Sequence, residues 1–309
     1  MDNLLPVLAQ VAPSDTFFTL SPNWGWLIAL YFFVGGVSGG AAFLAAMLDI
    51  FGGPAEQPMV RIGYLVAIVG LAICAPLLIV DLTLPLRFWH MLWQSNAGGL
   101  MFKWWSPMSL GVWIISLFAV FLGLATLGAF AKAGWLRLPR ALAVLGEGTF
   151  GKILSALAGI GGLFLAGYTG SILAGSNRPL WGDTTLLGLL FLLSGISAGG
   201  AAMLLVGRRW GSRAAIGWIG QMDVWSSLLE LVVLVVMLVG LGAVATRVLG
   251  NGWGVALLVG TVLLGILLPI LMHWRPRMLG AATVPVAAIL VLLGSFVLRS
   301  VIVLASEAV

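Results

Sequence analysis

The chain has 309 residues, of which 61% are hydrophobic and 8% are charged, and its mean hydropathy is +1.14. A soluble domain of this length needs far more polar surface, so the composition excludes a soluble protein and indicates an integral membrane protein. The net charge of +5 comes from Lys and Arg in short loops between apolar segments. That distribution is typical of membrane topology and argues against nucleic-acid binding.

Eight apolar segments, each near or above the roughly 20 residues that a crossing requires, are predicted to be transmembrane α-helices. The first has no basic region before it and no small-residue cleavage site after it, so we interpret it as a retained span and not a signal peptide. The predicted spans are 24–51, 60–86, 107–131, 150–173, 183–206, 223–246, 252–272 and 279–305.

The basic residues predict the orientation. Ten fall on one side, in the loops that follow the first, third, fifth and seventh spans, which we call the basic side. Four fall on the other, which we call the terminal side. By the positive-inside rule the basic side is cytoplasmic and both termini are extracytoplasmic. The basic-side residues are Arg61, Lys132, Arg137, Arg140, Lys152, Arg208, Arg209, Arg213, Arg275 and Arg277, against Arg87, Lys103, Arg178 and Arg247.

A short repeat predicts how the spans are grouped. The segment Gly36-Val37-Ser38-Gly39-Gly40-Ala41-Ala42 recurs as Gly195-Ile196-Ser197-Ala198-Gly199-Gly200-Ala201, four spans later and in the same direction. We expect an extracytoplasmic segment at 1–23, a first four-helix bundle at 24–173 and a second one at 174–309. The simpler interpretation is that these small residues only let helices approach closely.

The chain has few residues that bind metals. Cys74 is its one cysteine, and its two histidines, His90 and His273, are predicted on opposite membrane faces, about 30 Å apart. One thiol cannot hold an iron–sulfur cluster, and two distant histidines cannot share a haem. If the protein handles electrons, the metal centres are expected in a partner.

Polar residues gather at the terminal side of the first four spans. Asp81, His90 and Tyr168 supply a carboxylate, an imidazole and a phenol beside several indoles. That is the inventory of a quinone-headgroup site, in which donors bind the carbonyls and a protonatable group relays protons. The alternatives are an interfacial Asp81–Arg87 ion pair, a solvated loop histidine and an interfacial tyrosine.

Two charges fall within the last four spans. Glu230 is predicted about two turns into the sixth span from the basic side, and Arg299 deep in the eighth. They indicate either a structural salt bridge or a half-channel for protons through the second bundle. Asp49 and Asp223 are predicted near the basic-side ends of their spans, where water reaches them.

These features together resemble the polysulfide reductase membrane-subunit family, also called NrfD-like or PsrC-like. The resemblance spans all eight predicted helices and is specific as an ordered set. The matching residues are Gly35-Gly36-Val37-Ser38-Gly39-Gly40, Asp81 with Pro85, Arg87 and Phe88, Ser106-Pro107-Met108-Ser109 with Gly111 and Trp113, Tyr168-Thr169-Gly170, Pro179-Leu180-Trp181, the helix 5 repeat and Leu298-Arg299.

The resemblance implies a membrane subunit of an anaerobic respiratory oxidoreductase in the bacterial inner membrane. Such a subunit holds no haem or iron–sulfur cluster and exchanges electrons with menaquinone or ubiquinone. Its implied partners are a ferredoxin-like, four-cluster iron–sulfur subunit on the extracytoplasmic face and a molybdopterin or multihaem catalytic subunit.

The resemblance also implies a quinone pocket at the terminal-side end of the first bundle, where the family tyrosine corresponds to Tyr168. Some relatives carry a histidine at the start of the first span, where this chain has Asn23-Trp24-Gly25-Trp26. We expect Tyr168 and His90 to hydrogen-bond the headgroup and Asp81, held ionised by Arg87, to accept a proton. The predicted lining is Asn23, Trp26, Arg87, Trp105, Ser109 and Tyr168.

Two other functions remain open from the sequence. One is a structural anchor for a redox complex, without a quinone site of its own. The other is a secondary transporter, suggested by the parallel repeat and the charges within spans. The transporter is the weaker hypothesis, because transporter sites lie near the membrane midplane and the Asp81–His90–Tyr168 group lies at one face.

Overall fold

The computed structural model describes residues 24–82, 84–96, 98–135, 144–176, 178–275 and 278–307. Within these ranges, eight helices are long and apolar enough to cross a membrane, which confirms the predicted all-α class and number of spans. They are α1 (Trp26–Phe51), α2 (Gln57–Asp81), α3 (Pro107–Lys132), α4 (Gly148–Ala174), α5 (Leu187–Gly207), α6 (Arg213–Leu241), α7 (Gly252–Trp274) and α8 (Thr283–Leu304).

Several of the described connections contain a short helix. The longest described one joins α2 to α3 and contains a 3₁₀ helix, Pro85–Met91, and a small antiparallel hairpin of β1 (Trp93–Gln94) and β2 (Gly99–Leu100). A seven-residue helix, Ala243–Leu249, follows α6 after a turn at Gly242, whose φ of 52° suits glycine.

Two predicted boundaries are wrong. Helix α6 begins at Arg213, because the Ser212 hydroxyl accepts a hydrogen bond from the Ala215 N–H at 3.0 Å and caps its first turn. Helix α2 ends at Asp81, since Pro85 disfavours helical backbone just before it. Asp223 therefore lies almost three turns inside α6, and Glu230 lies near the middle of that helix, about 25 Å from its start.

Helices α1 and α5 lie at the centre, and the repeated glycines let their backbones touch. A Cβ atom on Gly40 would overlap the Gly195 carbonyl, and one on Gly199 would overlap the Gly40 backbone. Gly39 meets Gly162 of α4 in the same way. The packing interpretation of the repeat is confirmed at these positions.

The helices contact one another within each group of four, and α1 and α5 connect the two groups. In the first four helices, α1 packs on α2 and α4, and α3 contacts both α2 and α4. In the last four, α5 packs on α6 and α8, and α7 contacts both α6 and α8. Between the two groups, α5 contacts α1, α2 and α4, and α8 contacts α1.

The middle of α7, Ala256–Leu267, is π-helical. Such stretches are rare and are frequent at functional sites. Pro269 comes two residues after this stretch and has no N–H to donate to the Gly265 carbonyl, so one backbone hydrogen bond of a regular α-helix is missing there. The Gly265 backbone packs on Gly294 of α8, so the irregular segment lies against the last helix.

Candidate functional site

Tyr168 is held at the terminal-side end of the first four helices by the first turn of α3. Its hydroxyl donates to the Pro107 carbonyl at 2.8 Å. A Cβ atom on Gly111 would overlap the Tyr168 ring and hydroxyl, so only glycine leaves room for the phenol. The sequence motif from Ser106 to Gly111 therefore builds the position that Tyr168 occupies.

Ser109 fixes the same turn. Its hydroxyl accepts a hydrogen bond from the Lys103 N–H at 3.0 Å, and its own N–H donates to the Ser106 hydroxyl at 3.4 Å. The Trp113 indole donates to the Met101 carbonyl at 2.9 Å, which ties the preceding loop to α3. Of the predicted quinone residues, Ser109 and Tyr168 are the two that the fold brings to one helix end.

Sequence reasoning missed Tyr31 of α1. Its side chain is buried, and its phenol lies close enough to that of Tyr168 to interact electrostatically. The Cys74 thiol donates to the Tyr31 carbonyl across a distance of 4.0 Å. Tyr31 lies one turn before Gly35, on the same face as the glycine stripe, and that spacing could have indicated an inward-facing tyrosine.

The predicted ion pair between Asp81 and Arg87 is wrong. Both side chains are exposed, and no nitrogen of Arg87 lies within 4.0 Å of the Asp81 carboxylate in the part of the chain that is described. Asp81 ends α2, while Arg87 belongs to the separate 3₁₀ helix that follows. The change of direction between these elements separates the two charges.

Among the remaining residues predicted for the quinone site, those that the structure describes contact different neighbours. The His90 ring lies on Trp89, with centroids 3.8 Å apart, and its buried Nδ1 has no hydrogen-bond partner among the described residues. Trp105 is exposed and stands at right angles to Trp104. Trp26 stacks on Phe296 of α8 and so faces away from α2 to α4. Asn23 lies outside the described residues.

Asp81, His90 and Tyr168 share no hydrogen bond or ion pair within the described ranges. Their common role in a quinone site therefore stays a prediction. Within those ranges, no three side chains of His, Cys, Asp and Glu come close enough to hold a metal ion.

A second polar group lies inside the last four helices and centres on Arg299, whose side chain is 0% exposed. Its Nε donates to the Phe32 carbonyl of α1 and its Nη2 to the Phe191 carbonyl of α5, each at 3.0 Å. Its Nη1 donates to the hydroxyls of Ser194 at 3.0 Å and Ser295 at 2.5 Å. Arg299 thus joins α1, α5 and α8.

Glu230 is the buried carboxylate that interacts with Arg299, but the predicted salt bridge between them is wrong. Glu230 is buried and interacts electrostatically with Arg299, yet no pair of their charged atoms lies within 4.0 Å. Ser194 contacts the guanidinium and borders the same narrow cavity as Glu230, so it stands between the two charges.

The cavity has room for about one water molecule. Helices α5, α6, α7 and α8 all contribute to its wall, including the π-helical segment of α7. Small and hydroxyl-bearing residues supply most of the lining, so a water there would find hydrogen-bond partners. The lining residues are Ser194, Ser197, Glu230, Thr261, Gly265, Ile266, Val291, Gly294 and Ser295.

Asp223 extends this group toward the basic side. Ser197 donates to the Asp223 carboxylate at 2.5 Å and lies 3.1 Å from the Ser227 hydroxyl. Because Ser197 also borders the cavity, the polar groups form one continuous series. We call it the polar file: Asp223, Ser227, Ser197, Glu230, Ser194, Ser295 and Arg299.

Glu230 and Arg299 are the two members of the polar file to which the sequence assigns a possible function. The predicted start of the sixth span puts Asp223 at a helix end, and the true start of α6 puts it inside the helix. The i, i+4 spacings of Asp223 with Ser227 and of Ser295 with Arg299 are the available signals for the other members. Ser197 is visible as the serine of the repeat.

Asp49, on the basic side of the first four helices, has a different environment. Its Oδ1 accepts from the Gln57 side-chain amide at 3.0 Å and pairs with the Lys132 ammonium at 3.2 Å. Its Oδ2 accepts from the Ser155 hydroxyl at 2.5 Å. These contacts connect the ends of α1, α3 and α4.

Comparison with known proteins agrees with this architecture over nearly the whole chain. The family described as "Polysulphide reductase, NrfD" matches residues 16–309. The chain is 31% identical to the C subunit of polysulfide reductase from Wolinella succinogenes, over 81% of this chain and 82% of the relative. It is 29% identical to protein NrfD of Escherichia coli, over 92% and 95% of the two proteins. The chain is a multi-pass membrane protein that belongs to the NrfD polysulphide reductase family.

Proposed function

We propose that this chain is the membrane subunit of a respiratory oxidoreductase complex and exchanges electrons between the quinone pool and an iron–sulfur subunit. Membership of the family supports this, since one relative is named as a polypeptide of polysulfide reductase. A four-cluster, ferredoxin-like subunit on the extracytoplasmic face and a molybdopterin or multihaem catalytic subunit would complete the complex.

The proposed setting is the bacterial inner membrane, with both termini extracytoplasmic. The bias of Lys and Arg toward the basic side supports this orientation. The contacts within each group of four helices support a division into four-helix bundles, α1 to α4 and α5 to α8, that pack on each other through α1 and α5. In this arrangement the quinone site belongs to the first bundle and the polar file to the second.

The observation that carries the quinone site is the position of the Tyr168 hydroxyl, over Gly111 and beside the Pro107 carbonyl. A menaquinone or ubiquinone bound there would carry two electrons and two protons. Its headgroup needs hydrogen-bonding groups and an aromatic wall. The unpartnered Nδ1 of His90 fits the first need, and the indole of Trp105 fits the second.

Each residue then has a defined task. Tyr168 and His90 would hydrogen-bond the headgroup oxygens, and Ser109 would keep the first turn of α3 in place. Asp81 would exchange the proton with water, which its exposed position on the terminal side permits. Among the remaining candidates, Arg87 and Trp26 would border the pocket and not contact the reacting oxygens.

Tyr168→Phe in the intact complex tests this assignment. It keeps the ring over Gly111 and removes the hydroxyl, so quinol turnover should fall roughly a hundredfold. Tyr64→Phe is the control, because Tyr64 is a tyrosine of the same four helices that is buried near Asp49, toward the basic side and away from Tyr168. Gly111→Ala, which would push the phenol out of place, should resemble Tyr168→Phe.

Equal turnover in the Tyr168→Phe and Tyr64→Phe complexes would contradict the quinone assignment. If quinone analogues also failed to bind, the chain would be a structural anchor. Solute counterflow catalysed by the lone subunit in liposomes would instead favour a secondary transporter.

The polar file favours a second candidate function, the movement of protons through the last four helices. Hydroxyls both donate and accept hydrogen bonds, and the two carboxylates can hold a proton, so the series from Asp223 to Ser295 can relay one. Proton uptake from the basic side, measured with the intact complex in proteoliposomes during quinone turnover, tests this function. Proton changes confined to the terminal side would contradict it.

A further inference from the structure

The polar file ends at a fixed positive charge. All described hydrogen bonds of the Arg299 guanidinium go to neutral groups, namely the carbonyls of Phe32, Phe191 and Ser295 and the hydroxyls of Ser194 and Ser295. A guanidinium does not lose its proton in proteins. Arg299 therefore cannot pass a proton on in the way that a carboxylate or hydroxyl can.

Beyond Arg299, toward the terminal side, buried polar groups are sparse. Val301 and Ile302 of α8 are buried with Leu180 and Trp181 of the loop before α5. Ser300 is buried next to Arg299, and its hydroxyl has no hydrogen-bond partner among the described residues. The Trp181 indole donates to the Ile302 carbonyl at 2.7 Å, so that loop covers the end of α8. The polar file thus reaches toward the basic side through Asp223, whereas its hydrogen bonds end at Arg299. Among the described residues, no hydrogen bond continues the file from Arg299 toward the terminal side.

Arg299 is held rigidly at this point. Three helices supply its acceptors, and a Cβ atom on Gly36 of α1 would overlap the Nη2 atom. Glycine at position 36 therefore leaves the space that the guanidinium occupies. The charge is therefore a stationary feature of the interface between the two helix sets.

We infer that Arg299 is an electrostatic barrier that closes the polar file toward the terminal side, so that the file exchanges protons with the basic side alone. A positive charge repels an approaching proton, and the low dielectric of a buried site strengthens that repulsion. Membrane channels use an arginine against protons in the same manner. The inference rests on the proposed proton function of the file and is independent of the quinone site.

Glu230 adjusts the strength of the barrier. As a carboxylate it partly compensates the Arg299 charge, with which it interacts. Once Glu230 takes up a proton, the charge of Arg299 is no longer compensated. Repulsion of further transfer toward the terminal side is then greatest when the file is loaded, which prevents leakage of that proton across the membrane.

Passive proton flux tests the barrier. The full chain is reconstituted in liposomes with a trapped pH-sensitive dye, and a potassium gradient with valinomycin sets the membrane potential. Liposomes that contain wild type or Arg299→Lys, which keeps the charge, should show a low proton flux. Arg299→Gln should raise the flux roughly tenfold or more, the change that about 1.4 kcal/mol of lost repulsion gives. Arg208→Gln is the matched control, since it removes a guanidinium that bonds the Ala281 carbonyl outside the file.

A double variant separates a leak through the file from a leak through a damaged fold. Adding Glu230→Gln to Arg299→Gln removes the carboxylate relay, so the flux should return to the wild-type level. Ser194→Asp is a second route to the same test, because it leaves Arg299 itself in place and neutralises its charge with an adjacent carboxylate. It should also leak.

A low proton flux with both Arg299→Gln and Ser194→Asp would contradict the barrier role of Arg299. A raised flux that Glu230→Gln does not reduce would contradict it as well. If Arg299→Gln does not insert, Ser194→Asp alone decides between the two results. The assay contains neither quinone nor partner subunits. Low proton flux in both variants, alongside normal turnover-linked proton uptake by the wild-type complex, would reject the barrier and leave the proton function intact, whereas missing uptake in wild type would reject the function itself.

Discussion

Asp49 and Asp223 are similar carboxylates with different surroundings, one in the first four helices and one in the last four. Each accepts a 2.5 Å hydrogen bond from a serine, Ser155 or Ser197. Asp49 is neutralised by Lys132 at 3.2 Å, whereas no Lys or Arg lies within 4.0 Å of Asp223 in the described chain. A paired carboxylate keeps its charge and connects helix ends, while an unpaired one inside the membrane is suited to take up a proton.

The repeated serines differ in the same way. In the first set, the Ser38 hydroxyl donates to the Ala67 carbonyl of α2 at 2.7 Å, and the contact ends there. In the last set, Ser197 donates to Asp223 and also borders the Glu230 cavity. The repeat therefore explains the close packing of α1 and α5, and the side chains of α6 opposite the second copy make the difference between the contacts of the two serines.

The largest expected effect is that of Asp223→Asn on proton uptake by the intact complex in proteoliposomes. Asparagine keeps the shape and a hydrogen bond to Ser197 but cannot carry the proton, so uptake should fall roughly a hundredfold or more. Asp49→Asn should leave most of the uptake intact. Similar losses in both variants would mean that the two aspartates do not differ in role.

A smaller effect is expected from the two repeated serines. Ser197→Ala removes one link next to Asp223, but a water can partly replace a hydroxyl, so proton uptake should fall roughly tenfold. Ser38→Ala should leave uptake unchanged and lower the free energy of unfolding by about 1 kcal/mol, the typical value of one hydrogen bond. Dye-detected uptake and thermal unfolding in detergent measure the two effects, and a reversal of the pattern would contradict the comparison.

The smallest effect concerns Lys132→Met, which leaves Asp49 without its counter-charge. Because Lys132 is partly exposed, the loss of stability should be about 1 kcal/mol. Adding Asp49→Asn should recover part of that loss, since the unpaired charge is removed as well. Thermal unfolding of the two single variants and the double variant measures the coupling, and purely additive losses would show that the ion pair contributes nothing.

Several properties of this protein follow from the sequence alone. Its membrane class, its eight spans and its family are all readable there, because a span requires about 20 apolar residues and because ordered motifs such as Ser106 to Gly111 are specific together. The isolated charges Glu230 and Arg299 are also visible against that apolar background. Composition and spacing along the chain are local properties, and these conclusions need nothing more.

Only the tertiary structure decided which residues face one another. Arg299 meets Phe32 and Ser194, residues 267 and 105 positions away, and not Glu230 directly. In a membrane, the lipid-facing and buried sides of a helix are both apolar, so hydrophobic periodicity does not reveal how each helix is rotated. The glycine contacts between α1 and α5 set that rotation, and with it the alignment of Asp223, Ser197 and the cavity.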